Sequence, residues 1–145
     1  MPSSGVLLVL DTNTAISGLL WGGTPGTLID AAASGRIELA STLALLAELQ
    51  GVLSRTKLSS QLARRSLTIG DVFNGYAALV AIVSPATITP TVISDPADDE
   101  VLAAGVGAHA DMIVSGDTHL LSLGSFQGID IVTAAVAVAR IATVV

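Results

Sequence analysis

The chain has 145 residues, 51% hydrophobic and 12% charged, with a net charge of −6; this is enough for one domain with a full core, and we expect a single domain over residues 1–145. It has no cysteine, which excludes disulfides, thiolate zinc sites and cysteine nucleophiles. Six Lys plus Arg argue against strong general attraction to nucleic acid, and no window approaches the roughly 18 uncharged apolar residues that span a membrane.

The first five residues lack the basic segment of a secretion signal, so a cytoplasmic location is expected. Residues 6–10, Val6-Leu7-Leu8-Val9-Leu10, form the continuous apolar run of a strand covered on both faces. Residues 14–21 read as a helix ended by Gly22-Gly23. Thr24-Pro25 suggests an N-cap and a proline at the first helical position, for a helix to residue 34 stopped by Gly35. Residues 37–40 are a short strand, after which Ser41 or Thr42 caps a helix through Leu53. A short helix is expected over 59–65. Thr68-Ile69-Gly70-Asp71 then opens a helix with capping-box spacing that reaches about residue 82. Residues 86–94, β-branched and broken by Pro90, read as an irregular edge or loop–strand segment. A helix over 98–109, a strand over 112–115, a short helix over 117–121, a strand over 129–132 and a helix over 134–142 complete the chain. Strands alternating with helices predict an α/β fold, with a central parallel sheet of four to five strands and helices on both faces.

Four acids punctuate this pattern. Asp11 follows the first strand, and Asp117 follows Met112-Ile113-Val114-Ser115-Gly116. In an open parallel sheet, ligands bind beyond the carboxyl ends of the strands, so both acids belong to one rim. Glu48 borders the wide apolar stripe Leu43, Leu45, Leu46, Leu49, Val52 and Leu53, expected to face the core, and can reach inward over the sheet edge. Asp95-Pro96-Ala97-Asp98-Asp99-Glu100 opens a helix whose dipole favours anions. Between Asp98 and Asp99 we favour Asp99 as the inward acid, with Asp98 completing the cap. Four converging carboxylates repel one another unless a cation neutralises them, and oxygen donors suit Mg²⁺ or Mn²⁺. Such a cluster suits metal-assisted phosphodiester hydrolysis, in which a metal acidifies water and stabilises the departing oxygen.

Several of these residues have structural explanations too. Asp11, Asn13 and Asp117 can each cap a following helix. Arg55, Lys57, Arg64 and Arg65 make either a phosphate-contacting edge or a solvated linker. His119 is either a proton shuttle near Asp117 or an exposed helix residue, and His109 ends a helix. Trp21 either stacks on a base or packs in a core or dimer contact.

Val9-Leu10-Asp11-Thr12-Asn13, Ala47-Glu48-Leu49, Asp98-Asp99 before an Ala-rich helix, and Val114-Ser115-Gly116-Asp117 together resemble the PIN domain. Leu19-Leu20-Trp21-Gly22-Gly23, Arg55-Thr56-Lys57 and Ile131-Val132-Thr133 narrow the resemblance to the VapC-like, toxin-type PIN proteins of prokaryotes. The resemblance implies a PIN-like three-layer fold and a Mg²⁺- or Mn²⁺-dependent ribonuclease acting on RNA. It implies Asp11, Glu48, Asp99 and Asp117 as catalytic and metal-site residues, with Thr12, Asn13 and Ser115 in support. It also implies a homodimer and an antitoxin protein partner. A phosphotransferase with Asp11 as covalent nucleophile would want a second aspartate where Asn13 stands. The competing reading is a non-catalytic binding or assembly module, for which the acidic surface argues.

Overall fold

Leu8 and Leu10 leave one side of the first strand, β1 (Leu7–Leu10), and Val9 leaves the other. That period-two alternation of a pleated strand divides the core into two layers. The fold is described from a computed structural model covering residues 5–55, 60, 62–92 and 96–144. Lys57, Asp95 and the start of the helix expected over 59–65 lie outside the described residues, although residues 62–64 are helical.

β1 leads into helix α1 (Thr12–Trp21) and, after Gly22, helix α2 (Gly23–Ala33). Strand β2 (Glu38–Ser41) and helix α3 (Leu43–Leu53) follow. Helix α4 (Ile69–Leu79), the two-residue strand β3 (Ala81–Ile82) and helix α5 (Pro96–Ala108) come next. The chain closes with β4 (Met112–Val114), α6 (Thr118–Leu121), β5 (Ser125–Phe126), β6 (Ile129–Val132) and α7 (Ala134–Val144).

The strands form one sheet in the order β3-β2-β1-β4-β6-β5, parallel except for β5 against β6. The α/β class is as expected, but among the described residues the sheet has six strands, because β3 and β5 add two-residue edges. One core layer joins Leu8, Leu10, Met112 and Val114 of the sheet to Ala15, Leu20, Leu28, Leu49, Leu53, Tyr76 and Ile141 from the helices. The other joins Val9, Ala40, Ile113 and Ile131 to Val101, Leu102 and Ala104 of α5 and Leu120 of α6. Helices therefore cover both faces, which is why the central strands read as unbroken apolar runs. Among the described residues no helix is long and apolar enough to cross a membrane.

Local signals explain most boundaries. Thr42, not Ser41, caps α3 through Leu45 N–H at 3.2 Å. Thr68 and Asp71 form a reciprocal capping box at α4, with bonds of 3.0 and 3.2 Å. Two expectations need correction. Thr24 is not the cap of α2. That helix begins at Gly23 behind Gly22, whose φ of 71° turns the chain at once into the second helix. Helix α4 ends at Leu79 rather than near Ile82, because Val80 is extended and leads directly into β3.

The segment 83–92 has no regular structure. It crosses α5 where that helix has no side chain: a Cβ on Gly107 would stand 3.0 Å from Ala86 N and closer still to the Ser84 carbonyl oxygen. Gly105-Val106-Gly107 is thus a packing device, consistent with its place inside a helix. Gly107→Ala should lower unfolding free energy by about 1–3 kcal/mol, because backbone must move to admit the methyl group. Gly51→Ala, on an exposed helical site with nothing within 4 Å, should raise stability by about 0.4–1 kcal/mol. Urea titrations of both variants measure this pair of opposite signs.

Candidate functional site

The chain order reverses between β1 and β4. Strands β2 and β3 lie to one side of β1, and β6 and β5 lie beyond β4. A crevice outside the carboxyl ends is expected at such a switch point. Asp11 leaves β1 at that place, and its N–H donates to the Val114 carbonyl of β4 at 3.0 Å. Ser115 and Asp117 leave β4 beside it.

Asp11 is buried, with only 6% exposed. One carboxylate oxygen caps α1 by accepting the Thr14 N–H at 2.8 Å. The other accepts a hydrogen bond from the Ser115 hydroxyl. Ser115 Oγ in turn accepts the Asp117 N–H at 2.9 Å. One hydroxyl thus sets the positions of two acids. Asp117 caps α6, taking the His119 N–H at 2.7 Å. From α3, Glu48 receives the Thr12 hydroxyl as a donor, which ties that helix to the start of α1. Asp11, Thr12, Asn13, Glu48, Arg55, Asp98 and Asp117 line one cleft of about 310 Å³.

The structure brings together Asp11, Glu48 and Asp117 of the expected set, but it does not bring Asp99 to this cleft. Asp99 accepts the Thr91 N–H at 3.1 Å and the Val92 N–H at 2.7 Å, and so pins the segment that crosses α5. The neighbouring acid, Asp98, lines the cleft and is buried. Asp98, Val101, Leu102 and Gly105 are all buried and fall on one helical stripe at i, i+3, i+4 and i+7. That spacing in the sequence marks Asp98 as the inward acid. The dipole and capping arguments do not separate two residues of the same turn.

The supporting residues divide similarly. Thr12 and Ser115 hold acids. Asn13 does not cap α1, since Asp11 does; it is exposed in the first turn and faces the cleft. Among the described residues a carboxylate oxygen of Asp98, one of Asp117 and a ring nitrogen of His119 lie within 4.8 Å of one another. His109 sits past the end of α5 with φ of 53°, closing the helix through bonds from His109 and Ala110 N–H groups. Of the basic cluster, Arg55 reaches the cleft. Arg65 instead lies over the Trp21 ring at 5.3 Å and donates to the Leu20 carbonyl. Trp21 is therefore exposed and paired with a cation, not part of the core.

A second cleft, of about 530 Å³, shares Asn13 and Asp117 with the first. Ser17, Thr118 and Thr133 contribute hydroxyls to it, and its lining carries no charge besides Asp117. The two clefts thus meet over the Asn13–Asp117 rim, one lined by several acids and one charged only at that rim. Behind the site lies Tyr76, the sole tyrosine of the chain, 4% exposed in the core. Burial first, and the negative charge of Asp11 second, push its hydroxyl pKa well above the usual 10.0.

A family model described as PIN domain matches residues 7–119. That span contains every acid of the cleft. No curated protein matches the chain.

Asp99→Ala should cost about 1.5–3 kcal/mol of stability, since it strips a charged acceptor from two backbone donors. Asp98→Asn, which removes one of several like charges, should leave stability unchanged or raise it. Chemical denaturation of the two variants distinguishes scaffold from site. Tyr76 gives a separate test at high pH. Above its ordinary pKa the unfolded chain loses this proton and the folded one keeps it, so folded-state stability falls as pH rises past about 10. Unfolding at increasing alkaline pH should show that fall in the native chain and a shallower one in Tyr76→Phe, with the tyrosinate absorbance band appearing only on unfolding.

Proposed function

The chain belongs to the PIN domain family, and on that premise we propose that it is a metal-dependent endoribonuclease hydrolysing RNA phosphodiester bonds. PIN domains are generally nucleases. The single observation that carries the reading is the convergence of Asp11, Glu48, Asp98 and Asp117 on one cleft at the sheet's switch point. Carboxylates brought together in this way repel one another, and bound cations are what such sites use to offset the repulsion. Their donors are hard oxygens, which fit Mg²⁺ or Mn²⁺. We assign all four acids to holding the metal, with Asp98 replacing Asp99 in that role.

Asp11, Glu48, Asp98 and Asp117 would hold a divalent ion here, which would supply an acidified water and offset charge on the phosphate. The chain's own residues do the rest. Ser115 and Thr12 fix the angles of Asp11 and Glu48 before any ligand arrives, so little reorganisation is left for the reaction. Arg55 offers the cleft a guanidinium that can donate two parallel hydrogen bonds to a phosphate. The adjoining cleft, lined by hydroxyls, takes the uncharged parts of the strand, ribose and base, next to the phosphate. Local contacts of this kind also offset the net charge of −6, which gives no long-range attraction to RNA.

We extend the reading to the toxin of a prokaryotic toxin–antitoxin pair, working in the cytoplasm as a homodimer until an antitoxin protein binds. Support comes from the VapC-like residues around Trp21, Arg55 and Val132, and from apolar side chains left outside the core, Leu43 at 72% and Ile82 at 54% exposed.

The test is cleavage of mixed structured RNAs by purified protein with Mg²⁺ or Mn²⁺. Chelation should abolish cleavage. Asp11→Asn should lower it by about a hundredfold or more, the upper end of what even an outer-shell change costs a metal site. The asparagine oxygen can still cap α1, so its circular dichroism and melting should stay near those of the native chain. Cleavage unchanged by chelator or by Asp11→Asn would remove the metal-nuclease reading and favour a binding module.

A further inference from the structure

Beside two acids of the cleft, Asp98 and Asp117, stands one group that the nuclease chemistry of carboxylates does not use: the imidazole of His119. His119 is the second residue of α6, and its own N–H donates to Asp117 Oδ1 at 2.7 Å. This bond fixes the start of the side chain against the acid. The ring Nδ1 stands 3.6 Å from the same oxygen. A ring nitrogen lies within 4.8 Å of carboxylate oxygens of both Asp98 and Asp117. The imidazole is 59% exposed, so it can turn without disturbing the core, whereas Asp98 is buried and held by α5.

We propose that His119 is a nitrogen ligand of the metal held by this cleft, and that it tilts the site away from Mg²⁺ toward Mn²⁺ and other first-row ions that accept imidazole. The inference rests on the metal-nuclease reading above. Mg²⁺ takes oxygen ligands, demands near-ideal geometry and gives up its waters reluctantly. Imidazole suits the first-row transition ions. An all-carboxylate cleft carries no such bias beyond the intrinsic difference between the ions. Carboxylates joined by one imidazole on an ion carry it, because the nitrogen adds affinity for one class and almost none for the other. His119 is thereby a determinant of metal choice, a role that needs no proton transfer from it.

Because Mn²⁺ binds most sites more tightly than Mg²⁺, the quantity to read is the ratio of the two dissociation constants, obtained by calorimetric titration of the intact chain. His119→Ala should weaken Mn²⁺ binding by about tenfold or more, on the scale seen when groups around a metal are removed, and leave Mg²⁺ binding nearly unchanged. His119→Asp, which supplies a carboxylate oxygen in place of the nitrogen, should bind Mg²⁺ at least as well as the native chain and keep the reduced Mn²⁺ preference. The chain's other histidine is the control: His109 follows the far end of the 13-residue α5, about 16 Å along the helix from Asp98 by its rise per residue. His109→Ala should leave both constants alone. A ratio identical in the native chain and His119→Ala overturns the role of His119 while the metal-nuclease reading stands. Failure of the native chain to bind either ion, with Asp98→Asn indistinguishable from it, overturns both.

Discussion

The carboxylate of Asp11 joins the carboxyl ends of two neighbouring strands, and the geometry of the cleft depends on it. One oxygen holds the first turn of α1 and the other holds Ser115, at the end of β4. A buried charge is costly to desolvate, and here charge-assisted hydrogen bonds from a backbone amide and a hydroxyl compensate for part of that cost. The same two bonds aim the acid. Because Ser115 also accepts the Asp117 N–H, placing Asp11 places Asp117 through one intermediate oxygen. The core layers below, built on Leu8, Leu10 and Val9 of β1, keep this junction in register.

Capping and catalysis are usually weighed as alternatives for an acid at a helix start. In this molecule capping and a place in the acidic cleft coincide. Asp11 caps α1 and Asp117 caps α6, yet both line the acidic cleft. A cap uses one carboxylate oxygen, and the partial positive charge of the helix start favours the anion. Helix starts at the carboxyl ends of parallel strands are therefore economical places for acids that must remain ionised close together. Glu48 lacks this support, and the Thr12 hydroxyl takes its place.

The elements legible in the sequence are those with a physical pattern confined to a few residues. The strands around Val9, Ile113 and Ile131 are covered on both faces, and their apolar runs are continuous. The capping box at Thr68 needs only four residues. What was not legible depended on contacts between distant segments. The two-residue edges Ala81–Ile82 and Ser125–Phe126 are too short to show alternation, and their pairing is decided by β2 and β6. The start of α2 turned on the positive φ of Gly22, which the adjacent Thr-Pro signature obscured. Asp98 and Asp99 occupy one turn, and what draws Asp99 away is a pair of amides on an irregular segment without periodicity. The buried spacing from Asp98 through Gly105 was available as a signal and outweighs dipole arguments.

Consecutive positions on α5, about 100° apart around its axis, thus have different tasks, one acid facing the cleft and the next clamping Thr91 and Val92. The two residues share a peptide bond, so neither can rotate about the helix axis without carrying the other. The turn that carries Asp98 is thus the same turn that holds the clamp, and fraying it breaks the bonds to Thr91 and Val92. Amide hydrogen exchange at Thr91 and Val92, outside the cleft itself, consequently reports on whether the cleft is intact.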